Sequence, residues 1–179
     1  LSLILTIGLC FSSLVAKRNQ AYASPSSLWA DTFGKTPKKL SVGKTLSINY
    51  LMEEKYPEAL KTLNALLKIN PGLYDVHQNM GLAYKSMGDM TNAEKKFKDA
   101  IQIRFNAPEA HYNLALTLDR LGNREKARDH YMKAANLAPG HLVIWNSPVL
   151  RRYGDVRIKQ KGAATSQPLR PSMGGGSMG

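Results

Sequence analysis

A period of 34 residues runs through the middle of this chain. Three successive windows, beginning at Leu40, Tyr74 and Pro108, return side chains of the same size to the same slots without insertion or deletion. Slot 8 is small in each (Ser47, Gly81, Ala115), and slot 20 is always alanine (Ala59, Ala93, Ala127). Slot 24 is large (Leu63, Phe97, Tyr131), slot 11 reads Tyr50, Tyr84, Leu118, and slot 27 reads Leu66, Ala100, Ala134. A repeat of this length is one supersecondary unit that buries its apolar face on its neighbours. Small residues at slots 8 and 20 let two antiparallel helices approach, and the bulky slots fill the space between consecutive hairpins. Gly88-Asp89 and Gly122-Asn123 read as ends of first helices, and Pro71 and Pro139 as ends of second helices. Phe105 stands where the middle window should have proline. Helices this short are marginal alone, so each hairpin depends on its neighbours. The expected fold is therefore all-α: a solenoid of three helix-turn-helix repeats at 40–73, 74–107 and 108–141.

The block resembles tetratricopeptide repeats from Leu40 to His141. That resemblance implies a protein or peptide ligand on the concave face, lined by the first helix of each hairpin. It places slots 2, 5, 6, 9, 12 and 13 there. The expected groove residues are Lys44 from the first window, then Asp75, Gln78, Asn79, Leu82, Lys85 and Ser86 from the second. The third window supplies Glu109, Tyr112, Asn113, Leu116, Asp119 and Arg120. Asn79 and Asn113 share a slot one repeat apart, and a carboxamide offers a donor and an acceptor suited to an extended backbone. The alternative is that both amides satisfy neighbouring helices. The carboxylate clamp of chaperone-binding relatives is matched by Lys44 and Asn79, but Ile48 and Glu109 replace its asparagine and lysine.

The flanks differ from the array. The formal net charge is +12, yet residues 40–141 carry 14 Lys and Arg against 11 Asp and Glu. Residues 1–39 carry 5 against 1, and residues 142–179 carry 6 against 1. A near-neutral fold with basic ends argues against a nucleic-acid-binding face and for a membrane-proximal junction and a solvated tail. Residues 1–16 are free of charge and are followed by Lys17 and Arg18. Such a run is a truncated transmembrane helix or a secretory h-region, and charges that follow it favour the former. Residues 17–39 are expected to be a linker, 142–160 a degenerate cap using Trp145, Val149 and Leu150, and 161–179 a disordered tail.

The junction also carries a motif: Arg18-Asn19, Leu28-Trp29, Asp31, Lys35 and Pro37. It resembles the stretch leading from the last membrane helix into the first repeat of transmembrane and tetratricopeptide-repeat O-glycosyltransferases. The resemblance implies a C-terminal appendage of a larger polytopic protein, without that family's catalytic acidic residues and with its repeats outside the cytoplasm. The alternative is a small membrane-anchored or secreted scaffold with no enzymatic parent.

No catalytic constellation, cofactor motif or metal site stands out. Gly34 to Thr36 and Gly43 to Thr45 echo the end of a phosphate loop, but the glycine needed five residues earlier is Trp29 or Lys38. His77 and His111 share slot 4 and are expected to be structural; His130 and His141 have no evident partners.

Overall fold

In a computed structural model of the chain, residues 13–15, 24–140 and 144 are described. Among the described residues from 24 to 140, seven helices follow one another: α1 (Pro25–Lys35), α2 (Leu40–Met52), α3 (Tyr56–Ile69), α4 (Tyr74–Ser86), α5 (Met90–Ile103), α6 (Pro108–Arg120) and α7 (Arg124–Leu137). Helices α2 to α7 are the three expected hairpins. Each helix packs on the next in sequence, which is the connectivity of a stacked solenoid.

The small-residue slots work as sterics require. Gly81 lies against the Phe97 ring, and a Cβ there would stand 2.5–2.8 Å from three ring carbons. Ala59, Ala93 and Ala127 are wholly buried, as are Leu63, Phe97 and Tyr131 in the large slot. The first helices of the second and third hairpins end in turns where Gly88 and Gly122 take φ of 83° and 81°. Both are left-handed conformations in which a glycine carries no Cβ penalty. The first hairpin has Glu54 in this slot at φ 58°, so the same turn is made by a residue that adopts it at a cost.

The expected linker needs correction. Residues 25–35 form α1, which packs against α2 and places Phe33 on the cluster of Leu63, Leu66, Val76 and Met80. Helix α1 ends at Lys35, and α3, α5 and α7 end at Ile69, Ile103 and Leu137, each 34 residues on. It is thus the second helix of a half-repeat, and Pro37 falls one period before Pro71. Ser24 caps it, Pro25 opens its first turn, and Ser27 completes a reciprocal capping box. Gly43 stands where the later repeats have histidine, because Phe33 and Leu66 would come within 2.7 Å of a Cβ there.

One carboxylate fastens α1 to the array. Glu53, just past α2, accepts from the Ser26 amide at 3.0 Å and from the Ser26 hydroxyl at 2.6 Å, and pairs with Lys55 at 2.7 Å. These donors, led by Lys55, lower the Glu53 pKa to about 2.

At the other end, Ile144 is buried in the cluster built by Leu114, Leu118, Tyr131 and Ala135. The capping role expected of Trp145, Val149 and Leu150, and the tail at 161–179, lie outside the described residues. So does most of the apolar run at 1–16, of which 13–15 are helical. Among the described residues no helix is long and apolar enough to cross a membrane.

Candidate peptide-binding groove

The first helices α2, α4 and α6 approach one another more closely than the second helices do, so they line the inner face of the stack. Every expected groove residue lies on these three helices.

The lysines are held in two different ways. Lys44 pairs with Asp75 of the next repeat at 2.7 Å, which neutralises both across the face. Lys85 instead donates to the Asn113 Oδ1 at 2.9 Å, and its ammonium lies 5.9 Å from the Phe97 ring centre. Burial, reinforced by the charge of Arg120, lowers the Lys85 pKa.

The asparagine pair is therefore unequal. The oxygen of Asn113 is engaged by Lys85, whereas the Asn79 carboxamide makes no side-chain hydrogen bond among the described residues. Beside it, the Gln78 Oε1 is buried without a hydrogen-bond partner. Tyr112 meets Tyr131 edge to face at 5.8 Å, and both Leu82 and Leu116 rest on the core of the last hairpins. The structure thus groups Asn79, Gln78, Leu82 and Lys85 on α4 beside Tyr112, Asn113 and Leu116 on α6; Arg120, at the end of α6, is exposed.

The column expected on the face at Leu82 and Leu116 extends into the first hairpin. Slot 9 is aliphatic throughout, as Ile48, Leu82 and Leu116, and Ile48 is 46% exposed. Met52 adds a further exposed apolar side chain at the end of α2.

A cavity of about 300 Å³ opens between α1, α2 and α3, lined by Ala30, Phe33, Gly34, Leu46, Tyr50, Thr62 and Ala65 among others. It exists because side chains are cut back. Thr62 and Ala65 stand where the second hairpin has Lys96 and Asp99 and the third has His130 and Lys133.

The histidines serve the joints between repeats. The His77 Nε2 donates to the Pro71 carbonyl at 3.0 Å and the His111 Nε2 to the Phe105 carbonyl at 2.9 Å, the same bond one period apart. With Nε2 carrying its proton, the His111 Nδ1 is an acceptor, and the His130 Nδ1 lies 2.9 Å from it. The ring centres are 5.2 Å apart, which is that distance plus two ring radii, so the imidazoles meet edge to edge. His130, without an evident partner in the sequence, thus pairs with His111. His77 faces Asp99 at 3.5 Å rather than His111. Among the described residues no group of three or more His, Cys, Asp and Glu could hold a metal ion.

Comparison with known proteins agrees with this architecture. Models of the tetratricopeptide repeat match residues 74–106 and 108–141. Superkiller complex protein 3 of Homo sapiens is 33% identical over 96 residues, which is 51% of this chain and 6% of that protein. Anaphase-promoting complex subunit 3 of Schizosaccharomyces pombe is 20% identical over 95 residues, 53% of this chain and 14% of that one. The chain thus spans a small part of these curated relatives. Among solved structures, a MamA AMB-1 structure superposes with a TM-score of 0.59 at 27% identity, covering 65% of this chain and 69% of that one. A thermophilic tetratricopeptide-repeat protein of Thermus thermophilus shares the fold, with a TM-score of 0.58 at 24% identity over 76% of this chain and 70% of that one. The chain carries tetratricopeptide repeats, stacked as an all-α solenoid that is a protein–protein interaction module.

Proposed function

We propose that the inner face of α2, α4 and α6 holds an extended protein segment, gripped through its backbone and through apolar side chains. The observation that carries this reading is the uncommitted Asn79 carboxamide beside the aliphatic column of Ile48, Leu82 and Leu116. The amide serves any backbone, and the column accepts alternate apolar side chains without dictating a sequence. Asn113 contributes less to the ligand, since Lys85 already occupies its oxygen. The test is a peptide array of unrelated extended sequences, probed with the full chain and with Asn79→Ala. One lost hydrogen bond is worth about 0.5–1.5 kcal/mol, so binding should weaken by roughly two- to tenfold across most ligands. Loss confined to one ligand class, or none with a folded variant, refutes the backbone grip.

A membrane setting is the second part of the proposal. It is supported by the uncharged run at 1–16, by Lys17 and Arg18 after it, and by the junction motif from Arg18 to Pro37. In this reading the repeats are the extracytoplasmic appendage of a polytopic, glycosyltransferase-like protein. A cysteine at the exposed Ser86, treated in intact cells with an impermeant thiol reagent, should react; protection beside a reactive surface control overturns that topology.

A further inference from the structure

In an antiparallel stack, every turn from a second helix to the next first helix falls on one edge. Every turn within a hairpin falls on the other. The two edges of this array differ in charge. The inter-repeat edge comprises residues 34–39, 68–73, 102–107 and 136–140, and it contains no Asp or Glu. Its cations are Lys35, Lys38, Lys39, Lys68 and Arg104, of which Lys35 is paired with Asp31 at 2.6 Å. Lys38, Lys39 and Lys68 are exposed and have no carboxylate partner among the described residues. Arg104 stacks 4.2 Å from the Tyr74 ring, which holds its guanidinium at this edge. The opposite edge, at 52–56, 86–90 and 120–124, balances Glu53, Glu54 and Asp89 against Lys55, Arg120 and Arg124.

The cationic edge also exposes large apolar side chains. Phe105 is 72% exposed, and Ile69 and Ile103, the last residues of α3 and α5, are 46% and 41% exposed. Phe105 occupies the slot held by Pro37, Pro71 and Pro139, and only its backbone carbonyl is used by the fold, as the acceptor for His111. The balanced edge exposes Met52, Met87 and Leu121, so apolar exposure alone does not separate the two. The coincidence of an exposed aromatic, aliphatics and the unpaired Lys38, Lys39 and Lys68 does; the nearest carboxylates, Asp75 and Glu109, stand in the first turns of α4 and α6 beside Tyr74 and Arg104.

We propose that the inter-repeat edge rests on an anionic bilayer surface. Phe105, Ile69 and Ile103 enter the headgroup region, and Lys38, Lys39, Lys68 and Arg104 meet lipid phosphates. Interfacial binding scales with apolar area buried plus attraction to anionic lipid, and this edge supplies both. Its cations are spread along successive turns rather than gathered into a pocket, which suits a surface of many headgroups rather than one bound anion. The groove faces inward and stays open to its ligand.

The test uses the full chain with Cys10→Ser and one new cysteine carrying an environment-sensitive fluorophore. Asn106→Cys reports the cationic edge beside an intact Phe105, and Met87→Cys reports the opposite edge. With vesicles containing phosphatidylglycerol, the label at position 106 should shift to the blue and the label at position 87 should not; phosphatidylcholine alone should produce neither shift. Lys38→Gln, Lys39→Gln and Lys68→Gln together should lower partitioning by roughly a hundredfold, at about fivefold per cation. Phe105→Ser should lower it about tenfold. Attachment through residues 1–16 alone does not distinguish the edges. Equal responses at both positions, a response to phosphatidylcholine as large as to phosphatidylglycerol, or an unaffected triple variant overturns the proposal.

Discussion

Gly81→Ala sets two effects of opposite sign against each other. The substitution lies within α4, where alanine is favoured over glycine by about 0.8–1.0 kcal/mol of helix propensity. Against that, the new Cβ would stand 2.5, 2.7 and 2.8 Å from three carbons of the Phe97 ring. Phe97 is wholly buried, so its ring cannot swing into solvent. Overpacking of this kind costs about 1–3 kcal/mol, so the net change should be a loss of up to about 2 kcal/mol. For a folded unit of this size, each kcal/mol lowers Tm by about 4 °C. The loss reaches the third hairpin, because the same core joins α5 to both of its helices, α6 and α7. Thermal unfolding of the full chain, followed by circular dichroism, reads the effect. The decisive measurement is the double variant with Phe97→Leu, which restores the pairing of a small residue with leucine seen at Ser47 and Leu63. Gly81→Ala should be nearly harmless, or stabilising, in that background. A higher Tm for Gly81→Ala alone, or strict additivity with Phe97→Leu, would refute the steric account of the small column.

Other outcomes follow from the same structure. Glu54→Gly, which relieves a left-handed non-glycine residue in the slot of Gly88 and Gly122, should raise Tm, the steric relief of about 1–2 kcal/mol being partly offset by glycine's entropy. The folded pKa of Glu53 is lowered from 4.5 to about 2, so its contribution is present above pH 4.5 and is lost as pH falls toward 2. Glu53→Gln should flatten that part of the stability profile, and hydrogen exchange at neutral pH should show α1 opening before the hairpins. Burial lowers the pKa of both His111 and His130 below the ordinary 6.5, helped at His130 by the charge of His111. The unfolded chain then binds more protons, so stability should decline as pH drops below 6.5, and His130→Asn should lessen the decline in denaturant titrations at pH 7 and pH 5.

The period makes the three hairpins legible, since packing of neighbouring repeats forces the same sizes into the same slots. Helix α1 escapes it for a physical reason. At the end of the stack it need not fit a first helix of its own, so slot 20 holds Pro25 instead of alanine and Trp29 in slot 24 is half-buried. Its signs are Ser24-Pro25, an N-cap followed by a first-turn proline, and Pro37, 34 residues before Pro71. The groove's residues are legible from the period, but not their pairings. That Lys85 takes the oxygen of Asn113, and that His130 finds His111, depends on distances between residues 28 and 19 apart in sequence.

The latch between Glu53 and Ser26 also decides how this chain bears tension. Ser26 lies at the first turn of α1, so a pull arriving from the residues before it meets that carboxylate before any hairpin core. Load applied there is borne first by a few short polar bonds and only afterwards by Phe33 among Leu63, Leu66 and Val76. Helix α1 therefore acts as a mechanical fuse: peeling its 11 residues lengthens the chain by roughly 20 Å, from about 1.5 Å per residue in a helix to about 3.4 Å when extended. Once it gives, the load passes to the core of the first hairpin, on which Phe33 rests.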